Sequence, residues 1–284
     1  MKKILIADSG STKTDWVKLT YEDKIPVVSE TFVCSGLNPV ILDSADIEKE
    51  LTRVCGSLGK NFDSIRFYGA GLGSRQMIGK MEDSLANSFE CSSIEARSDM
   101  AGAAKAVLGN LPGVACIMGT GSNSCHYDGD VIDRPSVSLG YILDDNGGGV
   151  SFGRRLLADV FKNHAPKEIC DEFHREYHLS AADVIDNIYR RPGANKWIAG
   201  FMPFVIAHRN HPYMATMIDS QLKLFLDREF ESYSDDELKE QGIGFVGSVA
   251  NLLSQDIINN LRGRDWKLRG IVQKPLELLA AQCL

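Results

Sequence analysis

The segment Asp8-Ser9-Gly10-Ser11-Thr12-Lys13-Thr14 decides how the rest of the chain is read. Before it stands an apolar run, Ile4-Leu5-Ile6-Ala7, and residues 2–7 have the pattern of a fully buried strand; after it, Thr14 to Leu19 is strand-like again. A glycine at such a corner lets the backbone approach a ligand closely, and successive N–H groups with Ser and Thr hydroxyls can cradle a phosphate. The carboxylate ending the first strand is well placed to hold Mg2+ through water, since that ion takes few direct carboxylates. An ordinary β-hairpin is the competing reading. A Walker A loop is excluded, because the G-x-x-x-x-G-K-[ST] spacing is absent and a strand follows where that loop needs a helix.

Outward from this corner, Val27 to Val33 alternates as a third strand, so the chain opens as a three-stranded meander. A helical stretch from Ser44 to Leu58 follows, then a strand Ile65–Tyr68, a helix Arg75 to Ser88, a strand near Ile94–Ala96 and a helix starting close to Asp99. Strands interleaved with helices after an antiparallel start predict a mixed α/β sheet. The pattern then restarts: Val114–Met118 is a buried strand, Gly119-Thr120-Gly121-Ser122 a second Gly/Ser turn, Asn123–Tyr127 another strand, and Asp128-Gly129-Asp130 turns into a third. Two β-turn-β openings about 110 residues apart suggest duplicated halves, although few residues are shared between them. Between Gly153 and Gly242 the pattern is mostly helical, as in Tyr213 to Phe230, and reads as an inserted layer. Ile243–Val246 resumes as a strand, Ser248 is expected to cap a helix through Leu261, Trp266–Val272 is a last strand and Pro275 opens a terminal helix. No linker is rich enough in Pro or Gly to separate the halves, and they are expected to share a cleft.

Composition narrows the function classes. At 284 residues the chain suits about two domains, and 44% hydrophobic with 24% charged residues is ordinary for a folded protein, which argues against disorder and coiled coil. The longest apolar runs fall far short of the roughly 18 residues that span a bilayer. The apolar stretch after Met1-Lys2-Lys3 stops at Asp8, too early for a signal peptide, so the expected location is the cytoplasm. Seven cysteines (34, 55, 91, 116, 125, 170 and 283) form no C-x-x-C pair, which suits reduced thiols and leaves zinc and iron–sulfur sites without a signal. A net charge of −7, with no basic block longer than a pair, argues against nucleic acid as a partner. Phosphates here would have to be neutralised by a metal ion and aimed backbone N–H groups.

Further segments could carry chemistry. Gly119-Thr120-Gly121-Ser122-Asn123-Ser124 repeats the first turn; it lacks the third glycine and the helix of a dinucleotide fingerprint. Two such turns, each between strands, could grip one polyphosphate. Asp99, in Ser98-Asp99-Met100-Ala101-Gly102, is either a helix-start acid favoured by the dipole or a base at a strand end. Asp144-Asp145-Asn146-Gly147 is a solvated turn or a set of acceptors for a polyol. Gly244-Phe245-Val246-Gly247-Ser248 is a strand-to-helix turn against which a flat base could slide. His174 and His178 are spaced i,i+4 without a third ligand, and His208 and His211 look like surface residues beside a proline turn.

Taken in order, these segments resemble the sugar-kinase, actin and heat-shock-chaperone ATPase superfamily, and more narrowly the N-acetylglucosamine kinase group related to the ATPase subunits of benzoyl-CoA reductase. The resemblance spans essentially the whole chain and is carried by Asp8–Trp16, Ser98–Gly102, Gly119–Ser124 and Gly244–Ala250. It implies two ribonuclease-H-like α/β domains, 1–107 and 108–284, with mixed five-stranded sheets and a helical insertion at about 154–240, and ATP between them. By resemblance, Asp8 helps hold Mg2+; Gly10, Ser11, Thr12 and Lys13 border the phosphates; Thr120 and Gly121 form the second phosphate turn; and Gly247 and Ser248 lie by the adenosine. Asp99 matches the catalytic base that takes the proton of the attacking sugar hydroxyl. Asn38, Ser138, Leu139 and Asp145 match positions beside the sugar. The activity implied is ATP-dependent phosphorylation of an amino sugar, N-acetylglucosamine first among them, by a cytoplasmic homodimer. The sugar side departs from the family pattern: Gly-Asp-Glu-Gly is Asp144-Asp145-Asn146-Gly147 here, and a Trp-Gly pair is Leu139-Gly140. Two alternatives stand beside this reading, an ATPase that drives a partner protein and a sugar sensor that binds without reacting.

Overall fold

The computed structural model describes residues 2–10, 12–22 and 25–282. Strands β1 (Lys3–Ser9), β2 (Lys13–Glu22) and β3 (Ile25–Ser35) form the antiparallel meander. Helix α1 (Ser44–Leu58), the short strand β4 (Asn61–Phe62), β5 (Ser64–Gly69), α2 (Arg75–Ser88), the short strand β6 (Glu90–Cys91), β7 (Ile94–Ser98) and α3 (Asp99–Leu108) follow. β5 pairs parallel with β1 and β7 parallel with β5, so the sheet order is β3-β2-β1-β5-β7; β4 and β6 form a small ladder of their own. The helices start where side chains satisfy their free N–H groups: Asp43 accepts from Asp46 N, Ser74 from Met77 N and Ser98 from Ala101 N.

Alternation along β2 buries Trp16 in a core with Phe67, Phe62, Leu51 and Met81. Its ring lies 5.8 Å from that of Phe67, and its indole N–H donates to Cys34 Sγ at 3.3 Å, so the one polar atom of the largest core side chain is satisfied.

The second sheet repeats the plan. Its strands are β8 (Gly113–Met118), β9 (Ser122–Tyr127), β10 (Ile132–Pro135), β11 (Ile243–Val246) and β12 (Leu268–Val272), in the order β10-β9-β8-β11-β12. Three neighbouring strands followed by two added beyond the first is the order of the first sheet, so the duplication read from two Gly/Ser corners is present in the topology. Between β10 and β11 lie α4 (Gly140–Leu143), α5 (Gly149–Phe161), α6 (Lys167–Tyr177), α7 (Ala181–Tyr189), α8 (Ala194–Ala199), α9 (Met202–Ala207), α10 (Pro212–Glu229) and a π-helical turn at Asp236–Gln241. α11 (Ser248–Leu252) and α12 (Ser254–Gly263) separate β11 from β12, and α13 (Pro275–Ala281), opened by Pro275, ends the described chain.

The chain divides into two compact units, one of Met1–Ala115, Tyr127–Asp133 and Lys274–Leu284, the other of Cys116–His126 and Arg134–Gln273. In the first, α13 places Leu276, Leu279 and Ala280 against Ile4, Ile6, Val17 and Leu19, on the sheet face opposite Trp16. Two local expectations are corrected. Ser248 does not cap its helix: Gly247 is the cap residue and Ser248 the first helical one, and the helix expected to run to Leu261 breaks at Leu253. The last strand starts at Leu268 and not at Trp266, because Trp266 N–H closes α12 on Leu261 O, with Asp265 held at φ 58° between them. Among the described residues no helix is long and apolar enough to cross a membrane, and the six described cysteines are unbridged.

Candidate active site

In the first unit the parallel strands β1, β5 and β7 end side by side, and the carboxylates of interest sit at or just beyond those ends, where open α/β sheets hold ligands. Asp8 is registered with Asp15 across the hairpin and with Tyr68 on β5. Asp99 follows β7 directly as the first residue of α3. Capping falls to Ser98, whose Oγ accepts from Ala101 N at 3.2 Å, so Asp99 is not needed for it; its Oδ1 accepts from the adjacent Met100 N at 2.9 Å. α3 can approach the sheet because residue 102 is glycine: a Cβ there would lie 2.8 Å from Tyr68 Cβ. The spacing of Asp99 from Asp8 thus depends on a helix seated by a missing methyl group.

These carboxylates share a half-buried region. Asp8 is pushed up to about 7, first by burial and then by the negative charges of Asp99 and Asp15, with Lys13 pulling the other way. Burial also raises Asp99, partly offset by the Met100 N–H. Lys13 Nζ reaches Asp15 at 2.7 Å. The Asp8 carboxylate has no hydrogen-bond partner among the described residues. Acids that repel one another, one of them without a partner, fit a divalent cation. Among the described residues no three His, Cys, Asp or Glu groups converge into a direct ligand cage.

The corner is closed by Gly10 N–H donating to Lys13 O at 3.0 Å, with Gly10 and Thr12 exposed; Ser11 lies outside the described residues. Behind the corner, buried Ser9 ties two loops together. Its Oγ bonds Thr14 Oγ1 at 2.7 Å and accepts from Leu37 N at 3.1 Å, while Thr14 Oγ1 donates to Ser35 O. The chain that leaves β3 is thereby held with Asn38 half-buried, its Oδ1 accepting from Val40 N at 2.9 Å. Gly71, at φ 82°, gives Asn38 its room, since a Cβ there would sit 2.1 Å from Asn38 Oδ1.

In the second unit three glycine segments meet. The turn after β8 closes by Gly119 N–H on Gly121 O at 2.9 Å, and its carbonyls are taken up by the start of α5: Gly149 N donates to Gly119 O and Val150 N to Thr120 O. The Thr120 and Gly121 N–H groups have no partner among the described residues, as an anion-binding turn requires. Gly247, at φ 124°, leaves no room for a side chain, because a Cβ would lie 2.3 Å from Met118 O. The 119–121 turn and the start of α11 with Ser248 are therefore neighbours. Asp145 joins the same group: at φ 62° it accepts from Ser122 N through Oδ1 at 2.8 Å, and burial raises its carboxyl.

Ser138 and Leu139 lie on an exposed stretch, and Leu139 is 60% exposed. Its N–H points toward Asp144 Oδ2 at 3.4 Å. A group that sequence reasoning missed is Glu229, at the end of α10. Ser124 Oγ donates to it at 2.6 Å, burial raises its carboxyl, and Asp144 and Asp145 raise it further. Asp15 was missed as well, although period-2 alternation puts it on the same face as Lys13. The histidines stay outside the chemistry. His174 packs on Phe161 and His178 ends α6. His208 and His211, expected at the surface, are half-buried, 3.1 Å from Glu172 and 3.2 Å from Glu168.

No family model and no curated protein matches this sequence. Solved structures do. A candidate N-acetylglucosamine kinase from Porphyromonas gingivalis is similar over 98% of both chains, with 34% identity and a TM-score of 0.91. A second candidate N-acetylglucosamine kinase, from Chromobacterium violaceum, is similar over 100% of this chain and 98% of its own, at 15% identity and a TM-score of 0.74. MreB5 of Spiroplasma citri, solved with AMPPNP, shares the fold at 9% identity and a TM-score of 0.54, over 99% of this chain and 94% of its own.

Proposed function

This chain belongs to the N-acetylglucosamine kinase family of the sugar-kinase and actin-like ATPase superfamily, and from that premise we propose that it transfers the γ-phosphoryl group of ATP to a hydroxyl of an amino sugar, N-acetylglucosamine being the first candidate. The observation that carries the reading is Asp99: an acid directly after a parallel strand, relieved of capping by Ser98, with burial raising its carboxyl and so making it a stronger proton acceptor.

Phosphoryl transfer asks for positioning and charge neutralisation more than for covalent chemistry. Asp99 takes the proton of the attacking sugar hydroxyl as that oxygen bonds to phosphorus and the bridging bond to ADP breaks. Asn38 and Asp145 hold the sugar by its hydroxyls, with Ser138 and Leu139 beside it. The N–H groups of Thr120 and Gly121 hold phosphate oxygens, and Gly10, Ser11, Thr12 and Lys13 border the phosphates from the first unit's corner. Gly247 and Ser248 accommodate the adenosine. Asp8, with Asp15 behind it, would hold Mg2+, which when bound spreads the charge of the phosphates. The expected assembly is a homodimer, checked by light scattering.

The test is ATP-dependent product formation across a panel of hexoses and N-acetylated hexoses. Turnover confined to N-acetylglucosamine supports the substrate, turnover on another sugar moves it, and sugar-independent ATP hydrolysis favours the partner-driving ATPase.

A further inference from the structure

We propose that Asp145 is also a positioning residue for the nucleotide: its carboxylate braces the 119–122 turn, so that what happens at its free oxygen is felt by the bound phosphates. The inference rests on the nucleotide role given above to that turn and asks which side chain keeps the turn in shape.

The backbone of residues 145–150 lies along the turn and is bonded to it repeatedly. Gly149 N donates to Gly119 O and Val150 N to Thr120 O, at 2.8 and 3.0 Å. Gly147 N donates to Ser122 Oγ at 3.1 Å. Where the turn enters β9, the acceptor comes from a side chain: Asp145 Oδ1 takes the Ser122 N–H at 2.8 Å. Residue 145 reaches that position in the left-handed region, φ 62°, a conformation that costs a non-glycine residue about 1 kcal/mol or more and persists where surrounding contacts hold it. Gly148 N closes back on Asp145 O at 3.0 Å. The carboxylate also takes the space a side chain at 121 would need, because a Cβ on Gly121 would lie 2.4 Å from Oδ1 and 2.6 Å from Oδ2. Gly121 therefore gives Asp145 its room, and Asp145 in turn fixes the backbone whose Thr120 and Gly121 N–H groups have no partner among the described residues.

One oxygen of Asp145 is thus committed to the turn, and the other, Oδ2, has no partner among the described residues. A sugar hydroxyl donating to Oδ2 would bind the same rigid carboxylate that orients the phosphate N–H groups. Acceptor and nucleotide affinities are then linked, each changing the other by the same factor.

The test measures AMPPNP binding by calorimetry, with Mg2+, on the full chain. Without sugar, Asp145→Ala removes the acceptor and should weaken AMPPNP about 10- to 150-fold, the worth of a charge-assisted hydrogen bond. Asp145→Asn keeps a carbonyl for the Ser122 N–H and should stay within about threefold of the wild type, while sugar phosphorylation falls in both. Gly121→Ala, which crowds the carboxylate and leaves residue 145 intact, should weaken AMPPNP as Asp145→Ala does, and it carries the test if the alanine variant does not fold. In the wild type, saturating N-acetylglucosamine should change AMPPNP affinity by about threefold or more. Asp145→Ala binding AMPPNP like the wild type, with sugar turnover lost, overturns the bracing role and leaves the kinase reading intact. No AMPPNP binding by the wild type overturns both.

Discussion

Asp8 and Asp15 stand directly opposite one another across the first hairpin, and Lys13, 2.7 Å from Asp15, offsets part of their negative charge. Burial first, and then the negative charges of Asp99 and Asp15, push the Asp8 carboxyl up to about 7 in the folded chain, against 3.8 as its ordinary value. Between those values the folded state binds more protons than the unfolded one, so the contribution of Asp8 to stability is largest below about pH 4, falls as pH rises and is lost above about 7. Asp8→Asn removes this loss. Without Mg2+ the variant should gain about 1–2 kcal/mol over the wild type at pH 8 and nothing at pH 4, the shift being discounted for partial exposure. Urea denaturation at the two pH values reads the difference. Saturating Mg2+ at pH 8 should close the gap by stabilising only the wild type.

Ser9→Ala tests the link from the first corner to the loop that carries Asn38. The Ser9 hydroxyl is buried, bonds Thr14 and accepts from the Leu37 N–H. Its loss leaves that N–H without an acceptor and should cost about 1–3 kcal/mol in denaturant unfolding. Because Asn38 follows one residue later, KM for the sugar should rise more than KM for ATP.

Gly247→Ala tests the contact between the 247 and 119 turns. A methyl group there meets Met118 O at 2.3 Å and has to adopt φ 124°, so no rotamer relieves it. Destabilisation of about 2–4 kcal/mol is expected, together with weaker nucleotide binding, in contrast to Gly79→Ala on α2, where a Cβ meets nothing within 4 Å.

Much of the fold was legible because it is locally encoded. α1 and α2 begin at side-chain caps and follow apolar periodicity, and β11 is a buried run between two glycines, so their limits could be read residue by residue. The break at Leu253 carries no Gly or Pro, and the delayed start of β12 depends on a helix end folding back onto Leu261; neither leaves a trace in local composition. The site divides the same way. The two glycine corners and Asp99 announce themselves through short motifs, and Asp15 was visible in the alternation of β2. Glu229 lies 105 residues from the Ser124 it binds, and only the tertiary fold brings them together. The contact of Asp145 with Ser122 spans 23 residues and needs a left-handed aspartate that propensity disfavours.

The most direct measurement of the central claim is the rate of ATP-dependent phosphorylation of N-acetylglucosamine by wild-type protein and Asp99→Asn under saturating substrates. The amide preserves size and the Met100 N–H contact and removes the proton acceptor. Loss of about 100- to 10,000-fold in kcat, with KM for ATP unchanged, is the expected result. A variant that keeps the wild-type rate would contradict the assignment of Asp99 as the base, and a wild type that phosphorylates no sugar would contradict the account as a whole.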